Sequence, residues 1–108
     1  MFWRQDTVQI IVLYNTGVWE NYTDTWREGD PEFSCLQLAP STSPPTPKRG
    51  FGKVWCLHAN VRTGLGQATA IEQGFDATIQ DFASGTLLRT DTGQIYILYT
   101  DRTWMRTP

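Results

Sequence analysis

The chain has 108 residues, nine Lys and Arg against eleven Asp and Glu, and five Trp, four Tyr and five Phe. That length suits one domain with a modest core. A formal charge of −2 with no Lys/Arg cluster lacks the electrostatic footprint of a nucleic-acid or anionic-membrane binder. No apolar run approaches the ~20 residues needed to cross a bilayer as a helix, so membrane insertion is not expected.

The opening stretch, MFWRQDTVQ, has neither the basic region nor the continuous apolar region of a signal peptide. Phe2 and Trp3 already have strand character directly after Met1, so the sequence is expected to be a segment of a longer protein. Gln5-Asp6-Thr7 reads as a turn and Gln9–Tyr14 as a β-branched strand. Asn15-Thr16-Gly17 supplies positive-φ capacity for a tight turn, after which Val18–Tyr22 returns. The result is a three-strand meander. Its central run is apolar on both faces, which predicts cover on both sides.

Residues 23–49 form a long connection. Pro31, Pro40, Pro44, Pro45 and Pro47 forbid a helix or a central strand through most of it, and its second half is rich in Ser, Thr and Pro. Trp26, Phe33, Leu36 and Leu38 are candidates to pin it to a surface. The period then changes. Phe51, Val54, Trp55 and His58 fall at i, i+3, i+4 and i+7, which predicts the main helix. Asn60–Thr63 adds a short second turn, ended by Gly64 and Gly66.

Beyond residue 74 the pattern is β again. Gly74–Phe82 alternates, and Phe82 departs from strict period two, which predicts a bulge. Thr86–Arg89, Gln94–Tyr99 and Thr103–Met105 follow, separated by turns. This last stretch repeats the first. At an offset of 85, residues 1–22 and 86–107 share Arg4/Arg89, Asp6/Asp91, Thr7/Thr92, Gln9/Gln94, Ile10/Ile95, Leu13/Leu98, Tyr14/Tyr99 and Trp19/Trp104. Gln, Asp, Arg and Trp are not matches that β composition alone would produce. The chain therefore reads as one period of a long repeat with the hairpin of a preceding unit in front. The expected fold class is α+β, mostly antiparallel β. Its homologous hairpins would lie in one sheet or small barrel beside one main helix, within a single domain.

Chemistry-bearing constellations are few. Cys56 and His58 stand two apart on a helix, about 200° around its axis, and cannot form a thiol–imidazole pair. Two Cys and one His lack the paired spacing of a zinc site, so no metal is expected. The GFGK stretch lacks the further Gly and the Ser/Thr of a phosphate loop, and nothing calls for a cofactor. Carboxylates at Asp24, Glu28, Asp30, Glu32, Glu72, Asp76 and Asp81 could in principle supply the two acids of a glycosidase. Most fall in turns or the connection, where acids are ordinarily solvated, so catalysis is not expected; a small glycan-active enzyme is the rival.

The run VRTGLGQATAIEQGFDATIQDFASGTLLRTDTGQIYIL resembles the LGFP-type repeat of bacterial cell-envelope proteins. Leu65-Gly66, Glu72, Gln80, Phe82, Gly85 and Tyr96 occupy its pattern positions, while Ala68 stands where that family has proline. The likeness extends to tandem units written roughly as GFGKVW…LG…E…QxF…G…IYVLY…TW. It implies a non-catalytic module of a larger surface or secreted protein, outside the cytoplasm, that attaches to the cell wall, a glycan or a neighbouring protein. A purely structural repeat that stacks on its own copies is the alternative. Such copies could form homo-oligomers through open hairpin edges.

If the partner is a saccharide, the stacking surfaces should be aromatics that the core does not need. Trp26 in the polar TDTWREGD stretch, and Trp19 and Trp104 at the hairpin ends, are the candidates, with Asp24, Arg27 and Glu28 to hydrogen-bond sugar hydroxyls. The competing reading of Trp26 is that it fixes the connection in place. An oxidising compartment, which the resemblance implies, would allow Cys35 and Cys56 to join. The same two residues could equally be separate buried thiols.

Overall fold

A computed structural model describes residues 1–35 and 45–107. The chain is α+β, with the order β1 (Phe2–Arg4), β2 (Gln9–Leu13), β3 (Trp19–Thr23), α1 (Arg49–Leu57), α2 (Ala59–Leu65), β4 (Ala77–Phe82), β5 (Gly85–Thr90), β6 (Ile95–Tyr99) and β7 (Trp104–Thr107). The strands form two antiparallel sheets, β1-β2-β3 and β4-β5-β6-β7, rather than one sheet or a closed barrel. Two compact units result. The first is Met1–Val12 with Asn21–Glu72; the second is Leu13–Glu20 with Gln73–Pro108. The tip joining β2 to β3 thus belongs to the second unit.

In the first unit, β2 carries Ile10, Ile11 and Val12, all buried, so both of its faces are covered. Val54 of α1 and Val61 of α2 are the buried apolar side chains of the helices. The expected main helix is α1, and the short second turn expected after it is the helix α2. The chain breaks at His58, whose extended backbone caps α1 and opens α2. Gly66, at φ 71°, ends α2 as a left-handed-side C-cap suited to glycine. The glycines of GFGKVW are needed for close approach. A Cβ on Gly52 would stand 2.6 Å from the Pro47 carbonyl oxygen, which is backbone and cannot swing away.

Residues 23–35 and 45–48 are the described parts of the connection, and the proposed pins Leu36 and Leu38 lie outside the described residues. The loop after β3 is fixed onto the start of α1. The Glu32 carbonyl accepts from the Arg49 N–H at 2.7 Å, the Thr25 carbonyl accepts from Lys53 Nζ at 3.3 Å, and Lys48 pairs with Glu32 at 3.2 Å. Cys35 and Cys56 are disulfide-bonded, Cα–Cα 5.3 Å, tying the connection to α1.

In the second unit, β4 pairs with β5 in unbroken register from Ala77↔Thr90 to Phe82↔Gly85. The bulge expected at Phe82 is absent, because Phe82 faces a glycine and needs no detour; the expected strand from Gly74 begins only at Ala77. Residues opposite one another share a face. One face of this sheet carries Leu88 and Leu98, both buried, with Ile79, Tyr96 and Trp104. The other carries Leu87, Ile95, Ile97, Tyr99, Met105 and Phe82, none of them buried. The expectation of cover on both sides, made for β2, holds there, whereas in β6 only one face carries a buried residue, Leu98.

Candidate functional site

The repeated hairpins meet at their tips, and the tips are where candidate residues converge. Each begins with the same turn. The Tyr14 N–H donates to the Val18 carbonyl at 2.9 Å and the Gly17 N–H to the Tyr14 carbonyl at 3.0 Å. At an offset of 85, the Tyr99 N–H donates to the Thr103 carbonyl at 2.9 Å and the Arg102 N–H to the Tyr99 carbonyl at 3.0 Å. Gly17 has φ 89° and Arg102, its counterpart, φ 73°. A glycine adopts this conformation without steric cost, whereas the arginine must be held in it.

The two tips then bond to each other reciprocally. The Trp19 N–H donates to the Arg102 carbonyl at 2.8 Å, and the Trp104 N–H to the Gly17 carbonyl at 3.0 Å. Trp19 Nε1 donates to the Tyr99 carbonyl at 2.9 Å, and Trp104 Nε1 to the Tyr14 carbonyl at 2.8 Å. Val18 and Thr103 form the β-bridge between them. Every one of these contacts maps onto its partner when 85 is added to one residue and subtracted from the other. The clasp is a local pseudo-twofold, built from two copies of one sequence within one chain.

Two further pairs extend the correspondence. The Tyr14 hydroxyl donates to the Glu20 carboxylate, and the Tyr99 hydroxyl to Met105 Sδ at 3.5 Å, both at i and i+6. Elsewhere the copies diverge. β1 and β2 pair with Phe2 opposite Ile11, but β5 and β6 pair with Leu87 opposite Ile97, one residue out of the equivalent register. The turns before the central strands differ accordingly. Val8 stands at φ 53° where the second copy has Gly93 at φ 89°.

Charge and aromatic contacts complete the clasp. The Arg102 guanidinium lies 4.3 Å from the centre of the Trp19 ring, a cation–π contact that occupies one ring face. Tyr96 lies 6.2 Å from Trp104, tilted by 34°. Asp101 accepts from Thr103 Oγ1 at 2.5 Å and from the Thr103 N–H at 2.9 Å. These hydrogen bonds from Thr103, the hydroxyl first, stabilise the ionised carboxylate and lower its pKa below the ordinary aspartate value.

The remaining proposed sugar contacts are in the first unit. Trp26 Nε1 donates to the Pro31 carbonyl at 3.0 Å, and Arg49 approaches its ring at 5.9 Å. Asp24 accepts from the Trp26 N–H at 3.1 Å and lies against Gly50, where a Cβ would stand 2.5 Å from its Oδ1. The Arg27 N–H donates to Asp30 at 2.9 Å, closing a turn with Gly29 at φ 98°. Glu28 is exposed. Of the six residues, Trp19 and Trp104 belong to the second unit, and Trp26, Asp24, Arg27 and Glu28 to the first.

His58 is exposed, with its ring 4.4 Å from that of Tyr22. Cys56, bonded to Cys35, is not a thiol in this state. Among the described residues no three His, Cys, Asp or Glu side chains are grouped so as to hold a metal, and no helix is long and apolar enough to cross a membrane. Arg102, like Val18 and Thr103 of the bridge, is a clasp residue that the sequence did not single out. The signal was there in part, since Tyr14/Tyr99 and Trp19/Trp104 are identities that bracket the same turn in both copies. No known protein family, curated protein or solved structure matches the chain.

Proposed function

We propose that the chain is a non-catalytic assembly module of a larger bacterial surface or secreted protein, in which an internal repeat holds its own copies together. The observation that carries this reading is the reciprocal clasp. Trp19 and Trp104, two of the three aromatics named by sequence as candidates to stack on a ligand, direct their indole N–H groups to carbonyls of the opposite copy. Trp26 likewise bonds within its own loop and lies beside the first turn of α1, as a residue fixing the connection would. Attachment to a cell wall or to a neighbouring protein then falls to surfaces outside the clasp. The extracytoplasmic location rests on the resemblance, with the disulfide in keeping.

Replacing Trp19 and Trp104 by Phe tests the reading, because a phenyl ring retains a stacking face but has no N–H. Lowered thermal stability, with retention on insoluble peptidoglycan unchanged at temperatures where the variant is folded, supports assembly. Unchanged stability with lost retention would overturn it in favour of a glycan site.

A further inference from the structure

The two copies of the central strand have the same apolar pattern and different cover. Ile10, Val12 and Tyr14 lie on one face of the first copy and are 0 %, 0 % and 8 % exposed. Their counterparts at an offset of 85 are Ile95, Ile97 and Tyr99; the first two are half-buried and Tyr99 is 37 % exposed. Met105 at 47 % and Phe82 at 51 % extend the same face of the second sheet, with Leu87 between them. A face this apolar is unusual for the solvent side of an antiparallel sheet, which normally carries polar residues.

What covers the first copy is visible. Tyr22 alternates with Asn21 along β3 and so shares the face of Glu20, which is bonded to Tyr14. The His58 ring lies 4.4 Å from the Tyr22 ring, and Asn60 Nδ2 donates to the Tyr22 hydroxyl at 3.2 Å. The junction of α1 and α2 therefore lies over the Ile10/Val12 face, and Val54 and Val61 are buried in the same unit.

We infer that the Ile95/Ile97/Tyr99 face is a docking surface for a helix pair of the α1–α2 kind, supplied by another repeat unit. The inference rests on the repeat reading above, but it concerns the Ile95, Ile97 and Leu87 side chains, which make none of the clasp's hydrogen bonds, and meets the clasp only at Tyr99. Size argues for this occupant over a second copy of the same sheet. Four strands at a spacing of ~4.8 Å and about five residues at ~3.3 Å give a face of roughly 300 Å². Even if side-chain relief doubles that flat footprint as accessible surface, it stays short of the ~800 Å² per partner that a stable free-standing dimer buries. A tethered helix pair needs no such area, because the linker keeps its effective concentration high.

The test is a full chain in which residues 23–72 are repeated after residue 108, compared with the 108-residue chain. Met105 reports on the face through its rate of oxidation by peroxide, read by peptide mass. Docking slows that rate on the order of tenfold in the extended chain, raises the helical signal in far-ultraviolet circular dichroism, and is reversed by Ile97→Lys or Leu87→Lys in the folded extended chain. An unchanged Met105 rate, or an added segment that contributes no helix, overturns the inference. So does a concentration-dependent dimer of the 108-residue chain that Ile97→Lys abolishes, since the face would then belong to a second sheet. None of these outcomes bears on the clasp, whose test is the melting of the tryptophan variants.

Discussion

Trp104→Phe removes one indole N–H from the clasp and leaves an aromatic ring in its place. The bond lost is the 2.8 Å contact to the Tyr14 carbonyl, in a part-buried setting. A net loss of about 1 kcal/mol is expected for such a bond, and more if the carbonyl finds no water. The smaller ring gives up roughly a further 0.5–1 kcal/mol of apolar contact. A total of about 1.5–2 kcal/mol corresponds to a fall in melting temperature of roughly 6–10 °C for a chain of this size. Trp19→Phe loses the 2.9 Å bond to the Tyr99 carbonyl and weakens the ring beneath Arg102, so its cost should be similar. The two sites share one set of tips, so the double variant should depart from additivity by about 0.5 kcal/mol or more. Trp3→Phe, at a side chain 50 % exposed, is the control and should stay within about 0.5 kcal/mol of the parent. Differential scanning calorimetry of the parent and the four variants decides the matter. If both clasp variants melt within about 1 °C of the parent, the reciprocal bonds contribute nothing and the reasoning fails.

The Cys35–Cys56 bond closes a separation of 21 residues, so reduction, or Cys35→Ser with Cys56→Ser, should cost about 3 kcal/mol in a denaturant titration. Val8→Gly should raise stability by about 0.5–1 kcal/mol, because a β-branched residue at φ 53° gives way to the residue that its counterpart Gly93 already is; Gly93→Val should do the reverse, and equal melting of the two variants would refute the comparison. Asp101 has its pKa lowered by the hydrogen bonds from Thr103, so its contribution is present above the ordinary aspartate pKa of 3.8 and is lost as pH falls through the lower folded value. Asp101→Asn should flatten that acid limb of the stability profile, and an unchanged limb would assign it to other carboxylates. Trp26→Ala should lower the melting temperature by several degrees through the loss of the Pro31 and Arg49 contacts; lost peptidoglycan retention at unchanged melting temperature would instead make Trp26 a ligand contact.

The individual strands were legible because their signals are local. Short apolar bursts of β-branched residues between Gly, Asn and Asp punctuation give β2, β3, β5, β6 and β7 within one or two residues of their observed bounds. Sheet membership was not legible, since period-two alternation states which residues share a face and not which edges meet. The one-residue slip between the copies was hidden for a related reason. An ungapped alignment assumes equal turns, yet Val8 adopts a left-handed conformation that a β-branched residue rarely does. For the candidate site, the offset of 85 marked Trp19 and Trp104 as equivalent. It did not reveal that they turn towards each other's hairpin, because an aromatic beside a turn serves outward display and inward packing alike.

The clasp's symmetry limits how a longer array could be built. A reciprocal contact in which residue i bonds to j+85 while j bonds to i+85 is closed: both tips are used, and no third hairpin can join by the same bonds. Clasps alone would therefore group hairpins in pairs and go no further. Continuation needs a second contact of a different kind, one surface meeting an unlike surface. The Ile95/Ile97/Tyr99 face with a helix pair is such a contact, since a sheet meets helices rather than another sheet. The one-residue slip and the added strand β4 fit this division, because they alter the second copy away from the tip and leave the tip turns and their bonds the same in both. The tip bonds are alike in both copies, while the like apolar faces of the central strands differ in cover: one is filled within the chain and, on the inference above, the other is left to a neighbour.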